Sequence, residues 1–257
     1  QAEQNAAKAV SLAPDSMDAH RVYATVLESL GQYRSAIEQY LKASEINPNL
    51  TFLYVYIGRN YLSLRLYDRA LEYYAKAAAI NKQLGVRNPI PNLEIAKVYT
   101  QQGEFFIAAR NAEAALEFDP TNANTYGQLG IIYIRSRNYE GARPALKCAV
   151  VGCTAEENEI GKADVQGLQL TNLTVAYYYV EYGTVLAFLS RPNQNFCPEA
   201  RQVLNQVKAA YPDDDVLMSI VADSEGICNR LEASPTQSVA NPTLSPQTPQ
   251  VTPSPGG

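Results

Sequence analysis

Small residues recur along the chain at a fixed spacing. Ala24, Gly58, Ala96, Gly130 and Gly183 are each followed by an alanine, at Ala36, Ala70, Ala108, Ala142 and Ala200; the interval is 12 residues in the first four cases and 17 in the fifth. Successive units begin 34, 38, 34 and 53 residues apart, a period of 34 with insertions of 4 and 19. The same register carries Ala43, Ala77, Ala115 and Ala149, and the prolines Pro14, Pro48 and Pro120. Such a unit buries its apolar face only against its neighbours, so the repeat predicts a solenoid with a concave face and a need for caps. At the C-terminal end, helices are expected over Pro198 to Tyr211, closing the last unit, and over Asp215 to Arg230 beyond it, joined by the turn Pro212-Asp213-Asp214. Val216, Leu217, Ile220, Val221, Ile227 and Leu231 make the second of these the capping helix.

The residues around these positions resemble the tetratricopeptide repeat family, whose pattern runs from a large residue through Leu-Gly, Tyr, Ala, an aromatic and Ala to a closing Pro. Tyr54, Ile57-Gly58, Tyr61, Ala70, Tyr74 and Ala77 fill the slots of the second unit; Tyr126, Leu129-Gly130, Tyr133 and Ala142 fill those of the fourth. The fifth is degenerate, with Tyr179, Tyr182-Gly183, Leu186, Ala200, Leu204 and Pro212. The resemblance implies an all-α, right-handed solenoid of antiparallel helix pairs. Residues 1–16 hold a partial repeat helix and 17–151 four units. An inserted loop follows at 152–171, the degenerate fifth unit at 172–212 and the capping helix at 213–233. Residues 234–257 are a tail with six prolines and no charged residue, a composition that builds no core and predicts disorder. Most of the 18 tyrosines are then expected to be packing residues, and His20 to fill the slot of the family's large residue.

Composition narrows the chemistry. With 257 residues, 46% hydrophobic and 18% charged, the chain folds, and a net charge of −5 without any Lys/Arg block argues against a nucleic-acid surface. A single histidine leaves no His-based metal set or Ser-His-Asp triad, and no phosphate-cradling glycine loop occurs. No catalytic, metal or cofactor site is assigned. The apolar run Val175 to Leu189 is interrupted by Glu181 and falls short of the roughly 20 residues a membrane span needs. Cys197 and Cys228 fall at the same end of the expected terminal hairpin, close enough to bridge. Cys148 and Cys153 can close a short loop at the base of the insertion. Two disulfides favour an extracytoplasmic setting, whether periplasmic, cell-surface or secreted; four thiols, the alternative, leave a cytoplasmic adaptor. The insertion itself reads either as a surface excursion or as a partner-contacting arm.

Family resemblance implies a peptide or protein partner held along the concave face of the first helices. The slots facing that groove hold Arg21 and Thr25, Tyr56 and Arg59, Glu94 and Lys97, Gln128 and Arg135, then Tyr177 and Glu181. Arg21, Arg59, Lys97 and Arg135 form a mildly basic stripe suited to a carboxylate, with merely solvated polar residues as the other reading. The family's Lys/Asn clamp for a C-terminal carboxylate is absent. The expectation is a non-enzymatic scaffold. Its rivals are a regulatory or substrate-recruiting domain of a larger enzyme, consistent with the start at Gln1, and a structural protein that self-associates through its tail or N-terminal face.

Overall fold

A computed structural model describes residues 1–233; the expectation of a disordered tail concerns residues outside that range. The described residues form a solenoid of helix pairs. α1 (Ala2–Leu12) is a lone second helix, followed by the pairs α2 (Met17–Ser29) and α3 (Tyr33–Ile46), α4 (Thr51–Ser63) and α5 (Tyr67–Leu84), α6 (Ile90–Gln102) and α7 (Phe105–Phe118), and α8 (Ala123–Arg135) and α9 (Tyr139–Val150). A two-residue antiparallel pair, β1 (Gly152–Cys153) with β2 (Val165–Gln166), interrupts the helices inside the insertion. The fifth pair is α10 (Leu173–Leu189) with α11 (Cys197–Ala210), and α12 (Asp215–Ala233) closes the array. No helix of the described residues is long and apolar enough to cross a membrane.

The two insertions are absorbed differently. α5 has 18 residues where α3 and α7 have 14, so the insertion of 4 lengthens a helix, which stops at Gly85 in the left-handed conformation (φ +66°). The longer insertion folds back on the fourth unit. Its buried Asn158 donates from Nδ2 to the Tyr126 hydroxyl (2.7 Å) and to the Ala163 carbonyl (2.8 Å), and Lys147 pairs with Glu157 at 2.7 Å.

Each turn inside a pair is built alike, and its chemistry is local. Gly31, Arg65, Gly103 and Arg137 occupy one repeat position and all have positive φ (74°, 58°, 83° and 61°). The next residue's N–H returns to a carbonyl five positions back: Gln32 to Leu27, Leu66 to Tyr61, Glu104 to Tyr99 and Asn138 to Tyr133, at 2.8–2.9 Å. This left-handed stop satisfies helix-end carbonyls that would otherwise be orphaned. Turns between units carry a second recurring bond. His20 Nε2, Tyr54 Oη and Tyr126 Oη each donate to the carbonyl of the proline six residues earlier, Pro14, Pro48 and Pro120, at 2.8–3.0 Å. His20 is thus a buried packing and turn-locking residue; its Nδ1 lies 2.8 Å from Gln39 Oε1.

Packing explains the small residues. A Cβ at Gly58 would overlap the Tyr74 ring, and one at Gly130 would overlap Leu146. The pairs therefore approach more closely than any larger side chain allows. Tyr40, Tyr74, Tyr126 and Tyr182 are fully buried between helices, with Leu27, Leu53, Leu129 and Leu146. Each such leucine contributes roughly 1.5–3 kcal/mol relative to exposure. The core falls into two segments that meet at α6, where Val98 belongs to the N-terminal one and Ala96 to the C-terminal one. α12 buries Leu217, Val221, Ser224 and Cys228 and turns Ser219, Asp223 and Asn229 to solvent, as a terminal cap requires, while Val216, grouped by sequence with its apolar residues, is exposed.

Candidate functional site

The first helices α4, α6, α8 and α10 line a cleft of about 550 Å³. Its apolar surface comes from Ile90, Leu93, Ala96, Ile131, Ile132 and Tyr178; Arg59, Glu94, Lys97, Thr100, Gln101, Gln128, Arg135 and Thr174 supply the polar groups. Five of the expected groove residues line it: Arg59, Glu94, Lys97, Gln128 and Arg135. Tyr56 sits beside it, stacked on Tyr40 (centroids 5.3 Å apart), edge-on to Phe52, and 5.9 Å from the Arg59 guanidinium.

The remaining four lie outside the lining. Arg21 is held by Asp18 one turn away, at 3.0 Å. Thr25 donates to the Arg21 carbonyl and lies 3.2 Å from the Tyr40 hydroxyl. Tyr177 is exposed, and Glu181 is half-buried one turn further along α10. Burial pushes the Glu181 carboxyl up, and the charge of Arg135 draws it partly back.

Of the four cations in the expected stripe, two are already paired. Arg59 donates from Nε (2.8 Å) and Nη2 (2.5 Å) to Glu94 Oε1, and the Tyr74 hydroxyl approaches Glu94 Oε2 at 3.5 Å. Burial works against the Arg59 charge, but the hydrogen bond and charge of Glu94 outweigh it and hold the guanidinium above its ordinary value. Burial, with the Glu94 charge added, pushes the Tyr74 phenol well up, so it stays a donor. This pair crosses between units and neutralises the end of the cleft nearest α4. Lys97 and Arg135 are exposed and make no hydrogen bond or ion pair within the described residues.

Tyr178, not Tyr177, reaches the cleft from α10, and the reason is readable in the sequence. Gly127 precedes Gly130 by three residues on α8, and a Cβ there would overlap the Tyr178 ring. The extra glycine makes room for an aromatic side chain from the following unit. Leu93, Ile131 and Gln101 carried no such signal, since apolar and amide residues are frequent on these helices.

All four cysteines are buried and bonded in the expected pairs. Cys148 joins Cys153 (Cα atoms 4.8 Å apart) and Cys197 joins Cys228 (5.5 Å), and no described cysteine is free.

Family models for the tetratricopeptide repeat match residues 22–50, 53–84 and 111–143. The BBSome complex member BBS4 of Bos taurus is 26% identical over 131 residues, 51% of this chain and 24% of that protein, so the chain spans about a quarter of this relative's length. Among solved structures, Pseudomonas aeruginosa pilF superposes with a TM-score of 0.61 at 16% identity, covering 85% of this chain and 86% of that one. YrrB, described as a TPR protein with an unusual peptide-binding site, gives a TM-score of 0.53 at 16% identity over 86% of this chain and 97% of its own. These likenesses show the fold. With its helix pairs in a 34-residue register and these repeat matches, the chain is a tetratricopeptide-repeat protein.

Proposed function

We propose that the protein is a non-enzymatic scaffold that holds an extended peptide or protein segment in the cleft between α4, α6, α8 and α10. Tetratricopeptide repeats serve generally in protein–protein interaction, which is the coarse level of this reading. The observation that carries the finer level is the lining itself: an apolar floor of Leu93, Ile131 and Tyr178 edged by unpaired polar side chains, the composition of a small recognition site. The peptide-binding site named for YrrB and the complex membership named for BBS4 are consistent with it. Two disulfides support an extracytoplasmic setting, because such bonds persist in oxidising compartments.

The test is to probe a microarray of short random-sequence peptides with the full chain, then follow amide hydrogen exchange with the strongest binder. Protection confined to α4, α6, α8 and α10 is the expected result. Protection only on the second helices or on α12 refutes the assignment of the cleft.

A further inference from the structure

Five side chains edging the cleft make no hydrogen bond or ion pair within the described residues: Lys97 and Gln101 on α6, Gln128 and Arg135 on α8, and Thr174 on α10. Lys97 and Gln101 are one helical turn apart on α6, and Gln128 and Arg135 are two turns apart on α8 with the half-buried Ile131 between them, so the free polar groups of these two helices stand in two rows along neighbouring first helices. An ammonium and a guanidinium only donate, whereas a carboxamide both donates and accepts. The one carboxylate in the lining, Glu94, accepts from Arg59 and Tyr74; Glu181 lies half-buried outside the lining, where its charge interacts with that of Arg135. What the cleft offers solvent is therefore positive, on a chain whose net charge is −5.

We propose that the occupant is an acidic segment of a partner protein, its carboxylates meeting Lys97 and Arg135, its backbone amides meeting Gln101 and Gln128, and an apolar side chain resting on Leu93, Ile131 and Tyr178. This rests on the cleft being the peptide site and adds the chemistry of the partner. Complementary charge of this kind raises the association rate and selects against basic segments, while the apolar floor holds the complex once formed. Arg59 takes no part, because Glu94 already consumes it.

The same microarray decides the matter with three variants of the full chain: Lys97→Glu/Arg135→Glu, Lys97→Gln/Arg135→Gln, and Gln128→Trp, which fills the cleft. The charge changes are at exposed positions and leave the core intact, as circular dichroism will verify. Peptides selected by the native chain are expected to be rich in Asp and Glu. Their binding should weaken about tenfold on charge reversal, less on neutralisation, and fall as salt shortens the Debye length from ~10 Å at 0.1 M to ~3 Å at 1 M. If the selected peptides are uncharged or basic, and Gln128→Trp abolishes their binding while charge reversal does not, the acidic partner is refuted and the cleft assignment survives. Acidic peptides that bind all three variants like the native chain, or no bound peptide at all, overturn both.

Discussion

The Cys197–Cys228 bond should be the main clamp on the C-terminal end of the array, and its contribution follows from the loop it closes. Its partners are separated by 31 positions, against 5 for Cys148 and Cys153. In the chain-entropy treatment the two bonds restrict the unfolded chain by ~3.7 and ~2.1 kcal/mol respectively. Because each unit of a solenoid contacts only its neighbours, the loss should be local rather than global. α12 is otherwise held by its buried Leu217 and Val221, the Thr184–Ser224 contact at 2.9 Å, and exposed or part-exposed pairs such as Arg201–Glu232 and Lys208–Glu225. The clean perturbation is reduction of a Cys148→Ala/Cys153→Ala variant, which opens a single bond and leaves both of its sulfur atoms in place. Amide exchange followed by mass spectrometry should show α12 losing up to ~500-fold in protection on reduction, the upper limit set by ~3.7 kcal/mol. α2 to α7 should be unchanged. The matching experiment on a Cys197→Ala/Cys228→Ala variant should give at most ~30-fold, confined to the end of α9 and the insertion. Equal effects from the two bonds, or a loss spread evenly over all the pairs, would refute the loop-length argument.

Other consequences are equally direct. A Cβ at Gly31 meets nothing within 4 Å, so Gly31→Ala isolates the cost of the left-handed turn: ~1 kcal/mol of stability lost by denaturant titration, with Arg65→Gly at the same repeat position neutral or slightly stabilising. Tyr126→Phe deprives the Pro120 carbonyl of its donor and the buried Asn158 amide of an acceptor, and should cost roughly 1–3 kcal/mol and open residues 154–164 to limited proteolysis; an unchanged digestion pattern counts against the insertion being anchored there. Burial raises the Glu181 carboxyl above its unfolded value, so the folded state binds this proton more tightly and the group's contribution to stability falls as pH rises through that range. Glu181→Gln should therefore raise the melting temperature at pH 7 and flatten its decline between pH 4 and 7, and a lowered melting temperature would count against burial as the dominant cause.

Most of the architecture was legible because it is repeated. Gly58, Ala70 and Ala77 are small for a steric reason that recurs every unit, and a requirement imposed four times leaves a periodic mark that one imposed once does not. The disulfides were legible for a different reason: two cysteines at the same end of a helical hairpin need no fine geometry to meet. The insertion was harder. Its anchor is one buried asparagine reaching one tyrosine hydroxyl, Asn158 to Tyr126, and nothing in the run Thr154 to Asn158 separates that asparagine from a solvated loop residue. These contacts fold the insertion onto the fourth unit, and they bear on neither its reading as a surface excursion nor its reading as a partner-contacting arm.

The cleft shows where periodic reasoning reaches its limit. Arg21, Arg59, Lys97 and Arg135 are evenly spaced at 38 residues, which invites reading them as one stripe, but the repeat is 34 with a single insertion of 4. Only Arg59 and Lys97 therefore share a repeat position; Arg21 falls one turn before it and Arg135 one turn after. The four run diagonally across the concave face, so each meets a different environment: Arg21 finds Asp18 on its own helix, Arg59 finds Glu94 on the next unit, and Lys97 and Arg135 reach the open cleft. Which cations remain free for a partner was set by the acidic residues one turn or one unit away, a relation that exists only once the helices are packed. The lengthening of α5 offsets the drift once, keeping Arg59 and Lys97 at one repeat position, while the two uninserted intervals displace Arg21 and Arg135 by four residues each. Repeats that diverge in this way can keep their packing positions in step while the side chains facing the groove drift, and this is how a common scaffold acquires a cleft of its own.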